Sequence, residues 1–254
     1  MEPRILHKYR SLSGNYGLTN VEDIVLHDRM RWQSPAFFND PFDCAPELTF
    51  GFGKAERHRF AKDAANKFES SLNRKDRRAL SAKITKRQVS DVETELKNML
   101  RRNLENSSVS CFSLDDRQPL MWAHYADSHA GLCFSFEEDM PVGFFGLNVR
   151  YQSNREIVDL TKFGEHGADE LAKTVLTKSL DWAYEKEVRM IQYNRAPGVR
   201  PFPQKLLKRV TLGLRVSSDN EEAIRAMVSR RRLPLEVHRV AIRDGSFELD
   251  SIPV

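Results

Sequence analysis

The sequence predicts an α+β fold: a central, mostly antiparallel sheet in two parts, a helical insertion, and a C-terminal helix and hairpin. Three observations predict it. Short segments alternate apolar and polar residues with a period of two between turn residues, as in Arg4 to Leu12, Ser108 to Leu114 and Gly131 to Phe136. Apolar residues at three-and-four spacing concentrate in one block, residues 54 to 106. The glycine patterns GxGxxG and GxxxxGK[ST], which open phosphate-binding strand-helix units, are missing, as is the GxSxG elbow of α/β-hydrolases.

Arg4 to Leu12 reads as a first strand, with His7 and Tyr9 on the face of Ile5. Thr19 or Asn20 caps a short helix from about Val21, with Glu22 and Asp23 suited to its first turn. Met30 to Gln33 is a short strand stopped by Ser34-Pro35. The turn Phe37-Phe38-Asn39-Asp40-Pro41-Phe42-Asp43 reads as a rigid, aromatic-anchored loop, the kind of segment on which sites sit. In the 54 to 106 block two or three amphipathic helices are expected, with a break at Asn73 to Asp76 and a capping box from Ser90 to Glu93. Strands return at Ser108 to Leu114 and Gly131 to Phe136, with a helical turn at Met121 to Ala126 between them. A short strand at Asn148 to Tyr151 and a helix from Gly167 to Leu180 lead into a strand over Trp182 to Ile191. A proline-rich loop, a strand at Leu206 to Leu214 and a helix at Glu221 to Arg231 behind Ser218-Asp219-Asn220 follow. Val237 to Ile242 and Phe247 to Ile252 close the chain as a hairpin around Asp244-Gly245.

With 254 residues, 40% of them hydrophobic, the chain can bury a sizeable core, and one domain over 1–254 with a 54–106 insertion is expected. No run of 18 apolar residues occurs and Met1-Glu2-Pro3-Arg4 does not open a signal peptide, so a cytoplasmic protein without a membrane partner is expected. Three cysteines without CxxC spacing read as reduced, buried residues. A net charge of +4 is mildly basic, but residues 54 to 105 hold about 15 Lys and Arg against about 8 Asp and Glu. That segment reads as a solvated basic face or as a nucleic-acid surface.

The stretch Trp182-Ala-Tyr184-Glu185-Lys-Glu187-Val-Arg189-Met-Ile191 carries the chemistry. As a strand it places Glu185, Glu187 and Arg189 on one face, opposite Trp182, Tyr184, Val188 and Met190. Adjacent carboxylates repel and Glu is depleted in sheets, so the row is either a structural Glu-Arg ladder or a site. His124 and His129, five apart, do not share a helix face, and no metal site is expected. His124 and Tyr125 are each either buried and hydrogen-bonded or lining a pocket.

Leu6-His7-Lys8-Tyr9-Arg10, Phe38-Asn39-Asp40-Pro41-Phe42-Asp43, Cys111-Phe-Ser113, Met121-Trp122-Ala-His124-Tyr125-Ala126-Asp127, Gly131 to Phe136 and Trp182-x-Tyr184-Glu185-x-Glu187-x-Arg189 occur in this order. Together they resemble the bacterial domain-of-unknown-function 2971 family, which implies no reaction. The order of a His-bearing first strand, a small helix, a central aromatic strand and a late Glu-bearing strand is also similar to ADP-ribosyltransferases, especially those that modify nucleic acid. That resemblance implies an ADP-ribosyltransferase-like sheet and NAD as substrate. It implies His7 as the ribose contact, Tyr125 as a stacking residue, Glu187 as the catalytic carboxylate and Glu185 as its acceptor-side partner. Ser110-Cys-Phe-Ser113 is the nearest stretch to that superfamily's Ser-Thr-Ser strand. The candidate NAD-binding residues are therefore His7, Tyr9, Arg10, Asn39, Asp40, Ser113, Trp122, His124, Tyr125 and Arg189.

Breaking the nicotinamide glycosidic bond develops positive charge on the ribose, which a carboxylate on the 2′-hydroxyl stabilises more in the transition state than before it. A second carboxylate can deprotonate the acceptor, and Arg189 or Arg10 can neutralise the pyrophosphate. The expected enzyme is an NAD-consuming ADP-ribosyltransferase, a toxin or defence effector whose basic 54–106 segment grips DNA, RNA or protein. The alternative is a non-catalytic nucleic-acid or partner-binding module. A metal-dependent nuclease using Asp40, Asp43 and Glu187 is a third reading that no spacing favours.

Overall fold

The computed structural model describes residues 3–14, 17–49, 73–86, 89–159, 169 and 172–254. In chain order the elements are β1 (Ile5–Arg10), α1 (Gly17–Val25), β2 (Arg29–Trp32), β3 (Glu47–Thr49), α2 (Arg74–Lys86), α3 (Val89–Glu105), β4 (Ser108–Ser113), α4 (Pro119–Tyr125), β5 (Leu132–Glu137), β6 (Leu147–Asn148), β7 (Arg150–Gln152), β8 (Ile157–Asp159), β9 (Thr177–Ser179), β10 (Glu187–Gln192), β11 (Gly198–Pro201), β12 (Leu207–Leu212), α5 (Ser218–Ser229), β13 (Glu236–Ile242) and β14 (Leu249–Pro253). The chain divides into two compact units. One comprises Met1–Ser34, Ser107–Val149 and Leu180–Val254, and the other Pro35–Asn106 and Arg150–Ser179.

The first unit is built on one continuous ladder of eight strands, ordered β14-β13-β12-β5-β1-β4-β10-β6. The expected α+β class with a mostly antiparallel sheet is what the chain adopts: within the ladder only β12 and β13 run parallel, joined through α5. Pleating sorts the side chains. Leu6, Phe112, Phe134, Phe136, Val188, Met190, Val210 and Leu212 share one buried cluster with Val21, Ile24 and Val25 of α1 and Ile224 of α5. Fully burying one such side chain contributes about 1.5–3 kcal/mol, so this face anchors the fold. Tyr9 and Cys133, on the opposite face, pack with Met121 and Trp122 of α4 and with Val240 and Leu249. Among the described residues no helix is long and apolar enough to cross a membrane.

Several boundaries differ from the periodicity. Helix α1 starts at Gly17, before Thr19 and Asn20, because a backbone bond from Gly17 N–H to the Gly14 carbonyl opens it (3.2 Å). Helix α5 is capped by Ser217, whose hydroxyl accepts from Asn220 N–H, so Ser218, Asp219 and Asn220 form its first turn. The proline-rich stretch contains a strand, β11, because its edge pairing with β2 tolerates Pro201 at its end.

The largest correction concerns Trp182 to Ile191. Leu180–Glu185 is a 3-10 segment, Lys186 takes a left-handed conformation (φ 44°), and strand pairing begins only at Glu187. Glu185 is therefore not on a strand, and Trp182 and Tyr184 are not on the core face of one. From Glu187 onward the expected alternation holds, with Val188 and Met190 in the core.

In the second unit, β3 pairs β8 and β7 pairs β9, both in parallel. The expected strand at Asn148 to Tyr151 thus divides between the two units. The helix ahead of β9 stops short of Leu180, since Thr177–Ser179 is extended to pair with β7. Asn73, expected in a break, caps α2 by accepting from Asp76 N–H (3.0 Å). Residues 54 to 72 of the expected insertion and the side chains of Ser90 and Glu93 lie outside the described residues. In the turn at Asn39 to Asp43, Asp40 accepts from Phe42 N–H (2.9 Å), and Asp43 lies 3.6 Å from Lys178. Phe37 and Phe42 are exposed and Phe38 is half-buried, and the two aspartates add these contacts.

Candidate functional site

The site is a row that runs straight across five adjacent strands of the first unit. Strand register sets Glu187 of β10 opposite Ser113 of β4, Ser113 opposite His7 of β1, His7 opposite Ser135 of β5, and Ser135 opposite Arg209 of β12. Directly paired residues point to the same face, so all five project away from the phenylalanine-rich core. Four of the five are buried, with His7 7%, Glu187 6% and Ser113 0% exposed, and Arg209 is half-buried.

At one end Arg189, two residues on from Glu187 along β10, holds both carboxylate oxygens: Nε donates to Oε1 and Nη2 to Oε2, each at 2.8 Å. Arg189 is itself 1% exposed. A carboxylate gripped this way is held in one orientation. Cys111, also on this face, has its thiol pushed up by burial and by the Glu187 carboxylate, and so remains protonated.

Toward the middle, the Ser113 hydroxyl donates to the Glu185 carbonyl (2.6 Å) and accepts from Asp115 N–H (3.0 Å). Lys186 Nζ meets Asp115 Oδ2 at 2.8 Å, so the segment after β4 and the left-handed turn before β10 are clasped together. That clasp fixes Glu185, 2% exposed, whose Oε1 accepts from the Tyr125 hydroxyl at 2.6 Å. Beside it the His124 ring lies 6.3 Å from Tyr125, 6.3 Å from Trp182 and 6.4 Å from Tyr184. These are contact distances for rings, so the four form one aromatic group, tied to the Glu185 carboxylate through the Tyr125 hydroxyl.

At His7, Nδ1 shares a hydrogen bond with Ser135 Oγ (3.0 Å). Burial holds the imidazole below its ordinary value, Asp116 opposing this and Arg209 adding to it, so it is neutral at pH 7. Arg209 pairs with Asp116, whose carbonyl accepts from Trp122 Nε1 (2.8 Å).

Of the candidate residues, the register brings His7, Ser113, Glu187 and Arg189 onto one face, and α4 supplies Tyr125 to Glu185 and sets His124 against the Tyr125, Trp182 and Tyr184 rings. Tyr9 lies on this face, but its hydroxyl donates to the Asp115 carbonyl (2.7 Å) and its ring packs on Trp122 at 5.2 Å. Trp122 is fully buried. Arg10 falls on the opposite face from His7, three residues along the same strand, where burial pushes its guanidinium down to about 10. That placement does not offer it to a ligand seated between His7 and Glu187. Asn39 and Asp40 belong to the second unit, and their places are those described there.

Ser135, Cys111, Asp115, Asp116 and Arg209 complete the surroundings without having been among the candidate site residues, although Cys111 and Ser135 lie in stretches that carry the family resemblance. Ser135 had a signal, a hydroxyl inside the apolar run Leu132 to Phe136. The two aspartates read as an ordinary polar turn. Among the described residues no group of three or more His, Cys, Asp or Glu is placed to hold a metal ion.

Residues 121–190 match the family model described as Protein of unknown function (DUF2971). The match supports the family resemblance and takes in α4 from Met121 onward, β5 and the carboxylate stretch up to Met190. No curated protein and no solved structure matches the chain.

Proposed function

We propose that the chain is an NAD-consuming transferase of the ADP-ribosyl type. The observation that carries this reading is the row of His7, Ser113 and Glu187 on three adjacent strands. Two strand spacings separate the ends of that row by about 10 Å between backbones, a span a ribose bridges once both side chains reach inward. Among the described residues His7 Nε2 makes no hydrogen bond, and in the neutral ring with Nδ1 tied to Ser135 it is the atom left for a ribose hydroxyl.

In this reading Glu187 accepts from the ribose 2′-hydroxyl. The C1′–N bond breaks, its electron pair leaves with neutral nicotinamide, and the ionised carboxylate stabilises the cationic sugar. The acceptor then attacks C1′, and Glu185, held by Tyr125, takes its proton. His124, Tyr125, Trp182 and Tyr184 offer stacking area beside that carboxylate. The basic 54–106 segment suits an acidic acceptor such as DNA or RNA, in keeping with a toxin or defence role.

A second reading, a non-catalytic binding module, is favoured by the same Arg189–Glu187 pair taken as a core ion pair. Incubation with NAD separates the two. Release of nicotinamide by the wild type and its loss in Glu187→Gln, with NAD still bound, supports the transferase. A chain that binds no NAD and releases no nicotinamide is the module.

A further inference from the structure

Immediately after α5 the chain carries three consecutive arginines, Arg230, Arg231 and Arg232. With Leu26, Asp28 and Gln204 they line a recess of about 300 Å3 in the first unit. Its floor is built. The Arg231 side chain is 1% exposed, donates to the Val25 carbonyl at the end of α1, pairs with Asp28 Oδ1 at 3.1 Å and donates to the Gln204 carbonyl at 3.2 Å. Gln204 Nε2 in turn donates to Asp28 Oδ2 at 3.0 Å. The lone carboxylate of the recess is thereby occupied on both oxygens. Arg231 Nε is buried and has no hydrogen-bond partner among the described residues.

Arg230 and Arg232 are exposed, and among the described residues neither guanidinium makes a hydrogen bond or ion pair. Cations past a helix C-terminus often serve the helix dipole. Here Arg231 performs that service for α1, and the two flanking arginines touch no carbonyl. Three guanidinium groups against one satisfied carboxylate leave the recess positive, with two free forks at its rim.

We propose that this recess binds the phosphate group of a phosphate ester, gripped by Arg230 and Arg232. Guanidinium forks match phosphate oxygens two at a time, and a volume of about 300 Å3 is at the lower end of small-ligand sites, enough for a phosphate with its sugar. The ester is either a free mononucleotide or one residue of a nucleic-acid backbone.

The test uses the full chain, wild type and Arg230→Ala/Arg232→Ala. Fluorescence anisotropy follows a labelled single-stranded oligonucleotide of about ten residues, and calorimetry follows AMP. We expect at least one probe to bind, about tenfold more weakly to the double variant, with an unchanged thermal midpoint. The log–log salt dependence should become shallower by about one for each arginine removed. Binding of AMP identifies a nucleotide site, and binding of the oligonucleotide alone identifies a backbone site. If neither probe binds the wild type, or if the double variant binds as tightly, the proposal is overturned. Because Glu187→Gln leaves this recess untouched, its outcome is separate from that of the NAD assay.

Discussion

Arg189 holds both carboxylate oxygens of Glu187 from two residues along the same strand, and both side chains are almost wholly buried. Removing one partner strands the other. Arg189→Met should cost about 3–5 kcal/mol, since it leaves a buried carboxylate without its cation. Adding Glu187→Gln to that variant should restore part of the loss. Urea unfolding of the two single variants and the double variant measures this, and simple additivity would contradict a coupled pair.

Lys8 points to the core side of β1, where its ammonium donates to Ser110 Oγ (2.8 Å) and the Cys111 carbonyl (2.9 Å). Burial, with Arg10 adding to it, lowers Lys8 well below its ordinary 10.5, while Cys111 and Glu187 oppose the shift. Between the folded and unfolded values the unfolded chain binds more protons, so stability should rise with pH up to about 10.5. Lys8→Met should remove this group's share of the rise, measurable as a shallower slope in urea midpoints as pH is raised toward 10.5.

His7 is displaced in the same direction for the same reason, burial. Its contribution to stability is present above its ordinary 6.5 and is lost as pH falls from there through the folded value. An NMR titration of the His7 ring should show a midpoint under 6.5, and a midpoint at or above that value would refute the buried, neutral imidazole.

Tyr125→Phe removes the hydroxyl that donates to Glu185 Oε1. A hydrogen bond to a buried charged group is worth about 1.5–3 kcal/mol, and the variant should lose that much in denaturant unfolding. If Glu185 also handles the acceptor proton, the pH profile of transfer should shift as well, which a purely structural bond would not cause.

Gly17→Ala tests how α1 begins. A Cβ there would lie 2.0 Å from the Leu12 carbonyl oxygen, which is backbone and cannot swing aside. We expect a loss of about 1–3 kcal/mol by thermal unfolding.

Much of the fold was legible because the alternation in Ile5–Arg10, Ser108–Ser113 and Leu132–Glu137 marks them as strands, although the fold buries both faces of each. Local pattern failed where pairing overrode it. Thr177–Ser179 looked like the end of a helix until β7 recruited it, and Leu180–Glu185 looked like strand until the left-handed Lys186 broke the alternation.

Among the candidate residues, the residue types and the Glu187-x-Arg189 spacing were determined by the sequence alone, since both lie on one strand where alternate side chains share a face. That His7 stands in line with Ser113 and Glu187, and that Arg230, Arg231 and Arg232 line one recess with Asp28, was decided only by the tertiary structure. Register between strands more than a hundred residues apart is set by which faces bury together, a property of the whole sheet and not of any segment within it.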